Sequence, residues 1–217
     1  LLQEATDQYL WIVIVGGLGA FFAAFGIGAN DVANAFATSV GAKAISLKQA
    51  VVLAGIFEFL GAVLLGNHVT KAIRKSIADV DCFAEQPGIL MYGMSCVVWS
   101  TGLWLLLASY FELPVSTTHS TVGGIVGMAM AYGGAGCVVW NKPSDQFPFI
   151  KGVSAIVASW VISPVFSGVL AMILFLTVRT AVLRSENAYQ RSFWVYPALV
   201  ATTLIINIFF IIYKGGK

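Results

Sequence analysis

The run Gly26-Ile27-Gly28-Ala29-Asn30-Asp31-Val32-Ala33-Asn34-Ala35 sets the terms for the rest of the chain. An apolar stretch enters it, two glycines interrupt that stretch, and two amides and a carboxylate follow. Charged side chains at membrane depth are costly and face a cavity, a partner or an ion. Glycine frees the backbone to leave helical geometry. The run therefore predicts a helix broken at residues 26–28, with an ion or substrate site at the break.

The spacing around the run sharpens this expectation. Asn30 and Asn34 are four apart, Asp31 and Asn34 three apart, and Thr38 follows Asn34 by four. Such residues share one helix face, which presents amides, a carboxylate and a hydroxyl, with Val32, Ala33 and Phe36 opposite. Upstream, the apolar stretch begins at Leu10. Unbroken helix from there to Ala42 would be roughly 50 Å long against about 30 Å of hydrocarbon, a second reason to expect a break. A polar seam between helices is the competing reading, and the aspartate argues for a site.

Composition places the run in a membrane. Apolar residues make up 59% of the 217, charged residues 10%, and mean hydropathy is +0.87. Soluble domains have roughly 45–50% apolar and about 25% charged residues, so a soluble core could not hide this surface. Long apolar runs without period-2 alternation indicate helices rather than a barrel. The net charge of +2, with no basic block, is too small to suggest nucleic acid, and none is expected as a partner. Cys82, Cys96 and Cys137 form no metal-ligand pattern, and the two in apolar stretches, Cys96 and Cys137, read as small hydrophobes. The first apolar run lacks the flanks of a cleavable signal, and both ends read as cuts in a longer protein. The expectation is one transmembrane domain over residues 1–217, multi-pass and all-α.

Further along, Ser46 and Gln49 form a capping box before an apolar run to Leu65. Glu58 lies about twelve residues in, roughly 18 Å along the axis and near mid-bilayer. A glutamate there calls for a partner outside its own helix. Residues 67–87, with His68, Lys71, Arg74, Lys75, Asp79, Asp81 and Glu85, read as an interfacial helix and loop. Residues 90–111 form a third span, turned by Glu112-Leu113-Pro114.

Ser116-Thr117-Thr118-His119-Ser120-Thr121 then caps a short helix. Its apolar part, residues 122–132, is roughly 16 Å long, about half the hydrocarbon core, which predicts a half-length or re-entrant helix. Free N–H groups and the positive dipole end at its start favour an anion. Residues 149–178 are too long for one upright span, and Pro164 should kink or divide them. Residues 194–213 form the last span, with aromatics near both ends.

Two features carry chemistry: hard oxygen ligands suited to Na+ or H+, and a hydroxyl-rich helix start suited to an anion with several acceptor oxygens. Broken helices that hold an anionic substrate beside its coupling ions recur in secondary transporters. Asp31 and Glu58 would repel a buried anion, and bound cations remove that conflict. Coupled transport follows. The rivals are an uncoupled channel or uniporter, a membrane scaffold fragment inactive alone, and an enzyme using His119 and Ser116, for which no orienting acid follows.

Residues 28–35 resemble the signature of the inorganic phosphate transporter (PiT, PHO-4) family. Further similarity lies in Leu47-Lys48-Gln49-Ala50 with Phe57-Glu58, in residues 71–75, in Leu113-Pro114-Val115-Ser116 with Thr118-His119, and in residues 157–164. The resemblance implies a Na+- or H+-coupled phosphate symporter in the plasma membrane, with no cofactor beyond the coupling ion. It implies cation binding by Ala29, Asn30, Asp31 and Glu58, with Na+ at Asn30 and Asp31. Phosphate would be held by Asn34, Ser116, Thr117, Thr118 and His119. Family members carry two inverted repeats, and this sequence holds one Asn-Asp motif and one hydroxyl-rich helix start. A missing C-terminal half or a second copy in a homodimer would complete the site. The family also places the N-terminal end outside the cell, and residues 79–85 with it.

Overall fold

A computed structural model describes residues 8–143 and 149–215. The helices are α1 (Leu10–Gly41), α2 (Leu47–Ser76), α3 (Pro87–Tyr110), α4 (Thr117–Gly133), α5 (Val153–Val178) and α6 (Ala188–Gly215). Short 3-10 turns occupy Val80–Phe83 and Gly134–Cys137, and a π turn occupies Arg179–Leu183. One antiparallel pair, β1 (Lys142–Pro143) with β2 (Ile150–Lys151), sets Lys142 opposite Lys151. Among the described residues, five segments are long and apolar enough to cross a membrane: Leu10–Gly41, Leu47–Leu64, Pro87–Tyr110, Val153–Leu183 and Ala188–Phe209. The chain is a polytopic all-α membrane protein, the architecture in which every backbone group is satisfied without water.

Several helix starts follow the sequence directly. Ser46 accepts the N–H of Gln49 on its Oγ (3.3 Å) and donates its own N–H to Gln49 Oε1 (2.9 Å), completing the capping box. Ser116 Oγ accepts the N–H of His119 (3.4 Å), which starts α4 at Thr117. At 17 residues, α4 is roughly 25 Å long. It is short of a full span but longer than the expected half, because the hydroxyl-rich residues 117–121 are themselves helical.

The expected break in the first helix is absent. α1 is one helix of 32 residues. Gly28 stays helical and has open space where a Cβ would stand. Gly26 is buried, and a Cβ there would lie 3.0 Å from Leu105 Cβ and 3.2 Å from the Gly102 carbonyl. The glycine serves close approach to α3, not departure from helical geometry. Two further expectations change in the same sense. Pro164 does not divide α5, which runs continuously through it. Residues 67–76 continue α2 instead of forming a separate interfacial helix; the side chains of His68, Lys71, Arg74 and Lys75 lie outside the described residues. What remains of that expected loop keeps Asp81 and Glu85 exposed but buries its apolar residues, with Ile77, Ala78 and Phe83 0%, 3% and 1% exposed.

These three residues belong to a core shared with Val97 of α3, with Val122, Ile125 and Ala129 of α4, and with Val138 and Val153. Backbone bonds tie it together: Asp79 N–H to Cys137 O (2.9 Å), Val139 N–H to Ile77 O (2.9 Å) and Val153 N–H to Val139 O (2.9 Å). Phe83 stacks on Tyr132 with ring centroids 4.6 Å apart. Cys82 and Cys137 are joined in a disulfide across 55 residues, Cα atoms 5.8 Å apart. Cys137 is therefore half of a cross-link rather than a small hydrophobe, and Cys96 alone of the three is free.

The feature that positions the site is the packing of α1 on α3. Gly88 faces Tyr9, Gly16 faces Ser95, Gly102 faces Ala23, and Gly26 faces Leu105. Asn30 meets Ser109, at the same sequence separation of 79. A constant separation means that the two helices run parallel, with α2 as the return stroke. Positions 9, 16, 23 and 30 on α1 and 88, 95, 102 and 109 on α3 step by seven residues. Gly19 and Gly26 fall between them, Gly19 against Trp99, whose indole N–H donates to Val15 O (3.1 Å). This is a small-residue heptad seam, which lets membrane helices approach closely.

Candidate functional site

Asn30 closes the seam, and around it the site is built. It is 6% exposed. Its Nδ2 donates to Ser109 Oγ (3.3 Å) and to the Leu113 carbonyl (2.9 Å). Its Oδ1 accepts the Val115 N–H (3.1 Å) and the Asn34 Nδ2 (3.2 Å). The amide thus grips both sides of Pro114, the residue that turns α3 into α4. Ser109, besides accepting from Asn30, donates to Leu105 O (2.8 Å).

The turn itself is a helix C-terminus closed by two bonds, Leu113 N–H to Ala108 O (2.8 Å) and Glu112 N–H to Ser109 O (3.1 Å). Glu112 takes φ 57°, the left-handed position that such a closure normally gives to glycine. Glu112 also lines a cavity of about 420 Å³ together with Asn30, Asn34, Ser109 and Leu113.

One turn beyond, Thr117 Oγ1 donates to Asp31 Oδ2 (2.7 Å). This bond joins the carboxylate of α1 directly to the first residue of α4. The opening N–H groups of a helix have no intrahelical partner. Ser116 satisfies that of His119 with its side chain and that of Ser120 with its carbonyl. Thr117 and Thr118 keep theirs at the helix end. A carboxylate and a set of anion-seeking donors are therefore one hydrogen bond apart, and among the residues gathered here there is no Lys or Arg.

The structure sorts the residues singled out in the sequence. Asn30, Asp31, Asn34, Ser116 and Thr117 come together. Ala29 lines the cavity, but its carbonyl lies within an unbroken helix, so the free carbonyl that a break would supply is not there. His119 turns away from Asp31: two positions on from Thr117, it is roughly 200° around the helix. Its ring meets Trp160 of α5 edge-on, centroids 4.1 Å apart. Thr118 is exposed. Glu58 is exposed on α2 and makes no hydrogen bond to this group among the described residues.

Ser109, Glu112, the Leu113 carbonyl and the Val115 N–H were not foreseen. The signal for Ser109 was the seven-residue series of Gly88, Ser95, Gly102 and Ser109. The other three follow from turn geometry, which carries no comparable mark.

Comparison with known proteins fits this arrangement. Residues 27–217 match the phosphate transporter family. A sodium-dependent phosphate transporter of Toxoplasma gondii is 40% identical across 99% of this chain and 24% of its own length. Sodium-dependent phosphate transporter 1 of mouse is 40% identical across 98% of this chain and 30% of its own. A phosphate-repressible phosphate permease of Neurospora crassa is 38% identical across 97% and 35%. A solved sodium-dependent phosphate transporter superposes with a TM-score of 0.73 at 41% identity, covering 83% of this chain and 42% of that one. The chain spans about a quarter to a third of the length of these three relatives. It belongs to the phosphate transporter family.

Proposed function

We propose that this chain supplies one half of the site of a sodium-coupled phosphate symporter. The observation that carries the reading is the bond between Thr117 Oγ1 and Asp31 Oδ2 (2.7 Å). It puts the group suited to a cation in direct contact with the helix end suited to phosphate. Asp31 keeps its second carboxylate oxygen for the ion, and the α4 start offers N–H groups and hydroxyls to the phosphate. The names of the relatives support phosphate as substrate and Na+ as coupling ion.

Coupling follows from charge. Phosphate near Asp31 feels an unscreened carboxylate, and at an effective dielectric near 20 two unit charges ~5 Å apart repel by about 3 kcal/mol. A cation on Asp31 cancels that repulsion, so phosphate binds about a hundred-fold more tightly with its ion than without it. Sodium is the ion of choice, and residues outside the described site complete its coordination. Those residues come from a further segment of the same protein or from a second copy. The plasma membrane is the site of action.

Removing the charge tests this. Asp31→Asn in the intact protein, reconstituted in vesicles, should abolish phosphate uptake driven by a Na+ gradient while leaving membrane insertion unchanged. Uptake that retains its Na+ dependence in this variant would remove Asp31 from the cation site. Wild-type uptake indifferent to both Na+ and H+ gradients would replace symport by a channel or uniporter.

A further inference from the structure

We propose that Asn30 and Ser109 form a polar register lock at the end of the α1–α3 seam, and that Ser109 is a positioning residue for phosphate capture. The second half rests on the transport reading above; the first does not.

A polar lock adds to the seam because several of its layers are poor at choosing a register. They pair Gly16 with Ser95, Ala23 with Gly102 and Gly26 with Leu105. Small residues present flat faces that fit one another in more than one alignment. Slipping α1 by one heptad would set Gly16 against Gly102 and Ala23 against Ser109, or, in the other direction, Gly16 against Gly88 and Ala23 against Ser95. Those layers remain small in every case. Asn30 discriminates by hydrogen bonding, beside the steric fit of Gly88 to Tyr9 and of Gly19 to Trp99. In one slipped alignment it would face Gly102, its donors and acceptor buried without partners, and an unmade buried hydrogen bond weighs more than a made one gains. A single asparagine at a core heptad position selects register in coiled coils for this reason.

Saturation of the Asn30 amide argues the same way. Both N–H groups donate and Oδ1 accepts two bonds, which exhausts the hydrogen-bonding capacity of a carboxamide. Nothing is left over for a cation. The role of Asn30 here is to position its neighbours, and the ion ligand of the pair is Asp31.

Ser109 extends that role. It receives one Asn30 donor and passes its own proton to Leu105 O (2.8 Å), so it fixes the last turn of α3 to the seam. Three residues later the chain leaves the helix at Glu112, and Asn30 holds it again at Leu113 O and Val115 N–H. The register of the seam thereby sets where Thr117 stands relative to Asp31.

The test uses the intact protein in two arms. Hydrogen–deuterium exchange over residues 109–117 of the purified wild type needs no transport, and the Val115 amide should be protected although Leu113 and Pro114 beside it are exposed. Ser109→Ala should raise that exchange about five-fold, the weight of one net hydrogen bond. The same variant should raise the phosphate KM by a similar factor, with maximal rate and half-saturating Na+ unchanged. Ser109→Thr, which keeps the hydroxyl, should restore both. Unprotected exchange at Val115 in the wild type would overturn the lock even if the Ser109→Ala variant fails to fold. A normal phosphate KM in Ser109→Ala, or a defect that Ser109→Thr shares, would overturn the positioning role. A protein that moves no phosphate would fail the transport reading, and the exchange arm would still decide the lock.

Discussion

Alanine at two glycines of the seam region separates close packing from helix breaking. Gly28 and Gly102 are both helical, and alanine at either should gain about 1 kcal/mol of helix propensity. That shared gain cancels when the two variants are compared, leaving the contact of the new methyl. At Gly28 nothing lies within 4 Å. At Gly102 the methyl would stand 2.8 Å from Phe22 Cδ1, 3.0 Å from Ala23 Cα and 3.1 Å from Ala23 N. Two of these are backbone atoms, which cannot swing aside as a side chain can, so α1 and α3 must separate or strain. Overpacking of this kind costs about 1–3 kcal/mol. Gly28→Ala should therefore match or exceed the wild type in thermal stability, and Gly102→Ala should fall below Gly28→Ala by about 1–3 kcal/mol. The assay is thermal unfolding of the purified proteins in one detergent, with Na+-driven phosphate uptake measured in parallel. A Gly28→Ala protein that unfolds earlier than Gly102→Ala, or that folds normally and loses uptake, would refute the continuous α1 and restore a functional break at residues 26–28.

Two further outcomes follow from the geometry. The Cys82–Cys137 disulfide marks an oxidising compartment, so an impermeant maleimide added to intact cells should label these cysteines only after reduction; labelling without reductant would contradict the pairing. His119, edge-on to Trp160 at 4.1 Å, is worth about 0.5–1.5 kcal/mol of packing as an aromatic pair. His119→Phe should therefore keep the phosphate KM unchanged, whereas a raised KM would make His119 a phosphate ligand.

The sequence was most legible where chemistry is local. Ser46 with Gln49 and Ser116 before Thr117 mark helix starts through bonds spanning three residues, and both caps form as expected. The membrane class follows from apolar content that no packing could conceal. The residues of the Asn-Asp run do meet the α4 start. What misled was glycine, whose missing side chain serves two opposite ends. Gly26 read as freedom to break a helix is in fact room for Leu105, and nothing within the first 41 residues distinguishes the two. The partner that decides it lies 79 positions away. Cys137 posed the same difficulty, since its apolar flanks suit a small hydrophobe and a disulfide equally well. His119 lies on a different helix face from Thr117, which the unbroken run of hydroxyls around it in sequence does not reveal.

The arrangement of the two ends of α4 explains why its start can serve as a site. Its far end is tied covalently and by backbone bonds, through Cys137 to Cys82 and through Val139 to Ile77. Its near end carries no covalent tie and is held by Asn30 and by one bond from Thr117 to Asp31. The helix between them is roughly 25 Å long, so the pinned end cannot dictate the other to within a hydrogen bond. That accuracy comes from the register of α1 on α3, which places Asn30 at Pro114 and Asp31, the next residue, at Thr117. The adjacency of Asn30 and Asp31 thus has a mechanical meaning. One residue fixes the hairpin and the other meets what the hairpin presents, so an ion bound at Asp31, as proposed, would act on the α4 start through a single bond. Substituting Asn30 should disturb phosphate and sodium together, and substituting Ser109 phosphate alone; equal effects from both would mean that the two positions are not so divided.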